Sequence, residues 1–204
     1  MREEIIKQIL LATVDCIEEV GIQKVTVRKI AEKAGVNQAA INYYFGSKEN
    51  LIEETLKVTL DEGFINNLQD YDSLWDKDPL YALKSFLFDT IDGMMAYHGL
   101  TKAHFYDAYI QEKYDTELVK RFNEFIQRLY DLVNKQLPGK TNLENKFILI
   151  QILSAVFFPA LFPKLFESFF GKDFSQKGTR KHYVTTLVDA IITNVNLVSV
   201  GEEK

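Results

Sequence analysis

Apolar side chains recur at helical spacing along almost the whole of this 204-residue chain, and no stretch alternates as a half-buried strand would. That regularity restricts the fold class to all-α. Residues 3–20 read as an amphipathic helix stopped by Gly21, placed as a left-handed C-terminal cap. After the short connection QKVT, Thr26 is an N-cap candidate for a helix in which Val27, Ile30, Ala31 and Ala34 fall at i, i+3, i+4 and i+7. Gly35 stops it, Asn37 can cap the next helix over 38–45, Gly46 ends that one, and Ser47 can cap a fourth running from 48 to about 68. The polar stretch QDYDSLWDKDP reads as a loop carrying one packed aromatic, Trp75. Beyond it, helices are expected over about 80–97, 101–112, 115–136, 143–170 and 179–198, with Pro159 and Pro163 placed to kink or split the fourth of these. The expected organisation is about nine helices. A small N-terminal module, residues 1–47, leads into a larger helical bundle, residues 48–204, that would bind a ligand and dimerise.

Composition narrows the class further. With 47% hydrophobic residues and 13% aromatics the chain can bury a sizeable core, while 10 glycines and 4 prolines are too few for a turn-rich β fold. A single cysteine, Cys16, excludes an intramolecular disulfide and a cysteine-based zinc site; at helical spacing with Ile6, Ile9, Leu10 and Val20 it reads as a small core residue. The start, MREEIIKQ, has acids where a secretory signal needs bases. The longest uncharged run, residues 147–163, is 17 residues long, short of the about 20 apolar residues a spanning helix needs. The expectation is a cytoplasmic protein with no membrane partner.

No catalytic pattern is present: no G-x-S-x-G, no phosphate-cradling glycine loop, no H-E-x-x-H and no Cys–His pair. A carboxylate-bridged di-metal bundle needs Glu-x-x-His, but the residues three before each histidine are Met95, Thr101 and Thr179. His98 and His104 lack a supporting carboxylate or cysteine pattern for a metal. The chain therefore reads as a non-enzyme with no cofactor and no metal.

Net charge is −5, yet residues 21–48 carry Lys24, Arg28, Lys29, Lys33 and Lys48 against Glu32 alone, a balance of +5 −1 = +4. A locally basic segment on an acidic body suits a modular binder of a polyanion. That segment is also helix, short turn, helix: Gly35 can supply the positive φ of the reversal and Val36 can plug the gap, the layout in which a second helix enters the DNA major groove. At about 100° per residue, placing Ile41 inward brings Phe45 beside it and Tyr44 to the flank. The outward face is then Gln38, Ala39, Ala40, Asn42 and Tyr43. Small side chains let a helix lie deep in a groove, an alanine methyl can meet a thymine methyl, and Gln and Asn can pair bidentately with adenine. Tyrosines and Lys48 can hold phosphates, as can Thr26 and Arg28 at a helix start whose amides favour an anion. The same pattern also suits an ordinary bundle with tyrosines capping its core.

The stretch TVRKIAEKAGVNQAAINYYFGSKENLIEETL, residues 26–56, resembles the DNA-binding signature of the tetracycline-repressor (TetR) family through Thr26-Val27-Arg28, Ile30-Ala31, Ala34-Gly35-Val36, Ile41, Tyr43-Tyr44-Phe45, Lys48-Glu49 and Leu51. Residues 10–21 are similar to the first helix of such proteins. The resemblance covers about the first quarter of the chain. It implies a homodimeric transcriptional regulator, usually a repressor, released by a small molecule held in the C-terminal bundle. It also implies phosphate contacts from Thr26, Arg28, Tyr44 and Lys48, with Gln38, Ala39, Ala40, Asn42 and Tyr43 facing base edges. Many members carry tyrosine where this chain has Asn42, so the operator preference of the commoner pattern does not carry over. The partners implied are double-stranded DNA with a pseudo-palindromic operator, a second copy of the chain, and an apolar or aromatic effector.

The resemblance assigns the dimer interface to the last two long helices, about 143–158 and 180–198, with Phe147, Ile150, Leu153, Phe157, Leu187, Ile191 and Val195; the same residues would serve equally as an intrachain core. Candidates for a ligand pocket are Phe86, Met94, Tyr97, His98, Phe105, Tyr109 and Phe125, residue types that line apolar pockets and also fill cores. The alternative function is a helical ligand carrier or interaction module without DNA binding.

Overall fold

The computed structural model describes the backbone of residues 2–137, 139 and 141–200, and side chains as far as residue 192. The described elements are all helical. In order they are α1 (Arg2–Val20), a 3-10 turn (Ile22–Lys24), α2 (Val27–Ala34), α3 (Gln38–Phe45), α4 (Lys48–Leu60), a π-helical segment (Asp61–Asn66), α5 (Asn67–Asp70), α6 (Asp72–Trp75), α7 (Pro79–Ala96), α8 (His98–His104), α9 (Tyr106–Ile110), α10 (Glu117–Val133), α11 (Asn142–Leu161), a second 3-10 turn (Pro163–Leu165), α12 (Glu167–Phe170) and α13 (Lys177–Val200).

The local punctuation works as its chemistry requires. Thr26 Oγ1 accepts from Lys29 N at 3.2 Å, Asn37 Oδ1 from Ala40 N at 2.8 Å, and Ser47 Oγ from Asn50 N at 3.1 Å, so each of α2, α3 and α4 starts on a side-chain cap. Gly35 ends α2 in the left-handed region, φ 64 and ψ 27, with its N–H returned to Ala31 and Glu32 carbonyls. Gly21 differs from the left-handed cap expected of it. At φ 76 and ψ 152 it leaves α1 extended, in a region open almost only to glycine, and the turn that follows delivers Val25 to the core.

Several boundaries differ from the sequence reading. The stretch expected as a loop forms α5 and α6, because Leu68 and Trp75 are both buried and the indole donates to the Leu68 carbonyl at 3.4 Å. The helix expected from 101 begins at His98, since Gly99 does not interrupt it, and Phe105 breaks it into α8 and α9. The stretch 143–170 is three pieces: Pro159 sits inside α11, and Pro163 opens a 3-10 turn after the chain leaves the helix at Phe162.

The chain forms two compact units, residues 1–62 with 97–122, and residues 63–96 with 123–204. The first therefore runs past the expected boundary at residue 47. It does so because Leu51, Thr55 and Leu56 of α4 and Leu100 and Ala103 of α8 are buried with Ile9, Cys16, Ile17, Ile30 and Ile41 in one core. Cys16 is a buried free thiol within it. In the second unit α7, α11 and α13 pack on one another, burying Phe86, Leu87, Ile91, Ile152, Val156, Val184 and Val188. By length and composition α11 is long and apolar enough to cross a membrane, contrary to the expectation from the uncharged run; Leu149, Ile152, Leu153, Val156 and Ala160 are buried in this unit, and 39% of the helix's apolar window is buried.

Candidate nucleic-acid interface

The eight residues of α3 divide as the wheel requires. Ile41 is fully buried, Tyr44 and Phe45 are half-buried, and Gln38, Ala39, Asn42 and Tyr43 are exposed, Tyr43 by 79%; Ala40 is half-buried at the edge of that face. The Tyr43 and Tyr44 rings meet edge to face at 5.1 Å. No side chain of α3 is charged, so what it offers is amide, hydroxyl and methyl groups.

Cations stand on the helices that flank α3 in sequence. Thr26 and Arg28 lie exposed at the start of α2, and neither Arg28 nor Lys24 has an ion-pair partner among the described residues. Lys48 opens α4, 3.8 Å from the exposed Glu49. The other two lysines of the basic segment are committed elsewhere. Lys29 Nζ lies 2.9 Å from Glu19 Oε2, Lys33 Nζ donates to Glu19 Oε1, and Lys33 is also 3.9 Å from Asp15 Oδ2. The hydrogen bonds from Lys33 and then Lys29 hold the Glu19 carboxyl below the usual carboxylate range. Counting charge along residues 21–48 missed this, because the neutralising acids come from α1. Asp15 and Glu19 on one helix, and Lys29 and Lys33 on the next, are matching i, i+4 pairs of opposite sign; that signal becomes meaningful only once α1 and α2 are known to pack.

α8 is tied to the module by polar contacts. The Glu18 carboxylate accepts from Gly99 N at 3.1 Å and Leu100 N at 2.6 Å, capping α8 from α1. His104 Nε2 lies 3.1 Å from the Leu56 carbonyl and 3.0 Å from Thr59 Oγ1; since the Thr59 hydroxyl donates to the Thr55 carbonyl at 2.9 Å, the network assigns the ring proton to Nε2. Burial outweighs that bond to Leu56 and pushes the His104 pKa down to about 4. Arg121 Nη1 reaches both oxygens of Asp61 at 2.6 Å, at the start of the π-helical segment.

The ligand-pocket candidates fall into two groups. Phe86, Met94 and Phe125 are buried in the second unit, where Phe86 and Phe125 pack with ring centroids 6.0 Å apart. Tyr97, His98, Phe105 and Tyr109 belong to the first unit, with Tyr97 and Tyr109 exposed and Phe105 edge-to-face with Phe122 at 5.6 Å. The dimer candidates also divide. Phe147 and Ile150 are about half exposed on α11, whereas Leu153 and Phe157 point into the unit's own core, the intrachain use their pattern left open. Leu187 and Ile191 are half-buried, and the side chain of Val195 lies outside the described residues. Leu143 and Phe158, not singled out from sequence, extend the exposed stripe of Phe147 and Ile150. Among the described residues no cluster of three or more His, Cys, Asp or Glu side chains could hold a metal ion.

Residues 9–55 match the family model of bacterial regulatory proteins, tetR family. The HTH-type transcriptional regulator BetI 2 of Chromohalobacter salexigens is 43% identical over 54 residues, which is 26% of each chain. BetI of Vibrio vulnificus is 25% identical over 150 residues, 73% of this chain and 75% of that one. The first curated relatives are thus matched over only about a quarter of their length, 26% and 27%. Among solved structures, a transcriptional regulator from Rhodococcus sp. Rha1 has a TM-score of 0.69 at 18% identity, covering 93% of this chain and 96% of its own. FadR from Bacillus subtilis, in complex with stearoyl-CoA, has a TM-score of 0.63 at 18% identity, covering 91% and 98%. Residues 9–55 are thus similar to the N-terminal module of the tetR family of bacterial regulatory proteins, and the chain shares its all-helical fold with solved transcriptional regulators.

Proposed function

We propose that this protein is a sequence-specific DNA-binding transcriptional regulator: a repressor that binds a pseudo-palindromic operator as a homodimer and is released by a small molecule. The observation that carries the reading is the exposed, uncharged face of α3, with Arg28 on the helix before it and Lys48 on the helix after it rather than on α3 itself. Gln38, Ala39, Ala40, Asn42 and Tyr43 read base edges, while Thr26, Arg28, Tyr44 and Lys48 fix register on phosphates. An eight-residue helix is about 12 Å long and reaches only a few base pairs, so useful specificity requires a second half-site about one helical turn away. The exposed stripe Leu143, Phe147, Ile150 and Phe158 offers a second copy an apolar surface. The relatives matched are transcriptional regulators, which supports regulation rather than catalysis.

For the effector, an apolar or aromatic molecule suits the many phenylalanines of the second unit. The stearoyl-CoA in the B. subtilis neighbour makes a long acyl thioester the first class to test. Selection of bound duplex from a random pool tests the DNA reading. Enrichment of a pseudo-palindrome is expected, and absence of any enrichment would favour a helical ligand carrier without DNA binding. Sedimentation showing only monomer at micromolar concentration would remove the two-half-site argument.

A further inference from the structure

Lys29 and Lys33 stand four residues apart on α2, beside Arg28 and one helix before the base-reading α3. Position alone would offer both to phosphates. Glu19 instead takes both, one on each carboxylate oxygen, and Asp15 stands 3.9 Å from Lys33. The quartet of two lysines and two acids carries no net charge, +2 −2 = 0. All four side chains are solvent-accessible, and exposed ion pairs contribute little to folding. Their larger effect is on a polyanion, whose affinity for a protein depends on how many cations are free to displace its counterions.

We infer that Glu19 restrains DNA affinity: by holding Lys29 and Lys33 it withholds two of the five cations of residues 21–48 from the phosphate backbone. The inference rests on the DNA-binding reading above. Glu19 stands on α1 and acts through lysines of α2 rather than through the base-reading α3, so its influence is independent of base sequence. Its carboxyl is held charged by the same two lysines, so the restraint persists throughout the neutral range.

The test is Glu19→Gln in the full-length protein, with duplex binding followed by fluorescence anisotropy across a salt series. The slope of log K against log salt should steepen by about one to two units, at 0.9 per phosphate contact. Near 0.1 M salt that corresponds to affinity roughly tenfold to sixtyfold higher. A selected operator and an unrelated duplex should gain by the same factor. Adding Lys29→Gln and Lys33→Gln to the Glu19→Gln protein should return both slope and affinity to those of the parent. An unchanged slope overturns the inference. So does a fall of about one unit per lysine when Lys29→Gln and Lys33→Gln are made with Glu19 intact, because those lysines would then already be on phosphates. A parent protein that binds no duplex at any salt overturns the DNA-binding reading itself, while a parent that binds with Glu19→Gln inert overturns only this inference. Circular dichroism establishes that each variant is folded.

Discussion

Two glycines inside helices should respond to the same substitution with opposite sign. Gly99 lies in the first turn of α8, against α1. A Cβ built there would stand 2.9 Å from the Glu18 Cα and 3.0 Å from the Ile17 carbonyl oxygen. Both atoms are backbone of a helix whose buried residues include Ile17, so neither can turn aside, and α8 must move off α1 by several tenths of an ångström. Overpacking of this kind costs about 1–3 kcal/mol. Replacing glycine by alanine in a helix returns about 0.5–1 kcal/mol, so Gly99→Ala should destabilise by up to about 2.5 kcal/mol. For a chain of this size about 2–4 °C accompanies each kcal/mol, giving a fall in Tm of up to about 10 °C. Gly93, on the exposed face of α7, has nothing within 4 Å of its Cβ position, and only the helix term acts there. Gly93→Ala should raise Tm by about 1–4 °C. Thermal melts of the parent and both variants, followed by circular dichroism at 222 nm, make the comparison. If Gly99→Ala stabilised the protein as Gly93→Ala does, the close approach of α8 to α1 would be refuted, and with it the seating of Gly99 N and Leu100 N on Glu18.

Other outcomes follow from the interface and its supports. Arg28→Gln and Lys48→Gln should each lower the salt slope by about 0.9 and weaken operator and unrelated duplex alike, as read in an anisotropy series. Gln38→Ala and Asn42→Ala should leave the slope unchanged and shift the preferred base at one position by about 1–3 kcal/mol, measured by repeating the selection with each variant. Stability should also depend on pH through His104. Its folded pKa of about 4 lies below the ordinary 6.5, so between these values the unfolded chain holds a proton that the folded protein does not. The contribution of His104 is therefore complete above about pH 6.5 and is lost as pH falls toward 4, by up to about 1.4 kcal/mol per pH unit. Urea titrations from pH 7 to 4 should show His104→Gln losing less stability over that window than the parent; equal losses would contradict a ring held neutral by its surroundings.

What the sequence determined by itself was whatever depends on neighbours within about one helical turn. Thr26, Asn37 and Ser47 cap helices because the amide each must satisfy lies three residues on. Ile41 is buried while Asn42 and Tyr43 are exposed because 100° per residue leaves no other choice once one side packs. Even where a local rule held only in part, as at Gly21, the demand for positive φ was visible and only ψ differed. Tertiary structure decided the rest, because those contacts join residues that sequence spacing cannot relate. Glu18 caps α8 from 81 and 82 positions away, and His104 reaches Leu56 and Thr59 across 48 and 45. α11 reads as apolar on all sides, so only packing against α7 and α13 sorts Leu153 and Phe157 inward from Phe147 and Phe158 outward. The same holds for charge. The composition of residues 21–48 makes the segment basic, but the fold sets Glu19 and Asp15 of α1 beside Lys29 and Lys33, so the cations left for DNA depend on which helix lies alongside.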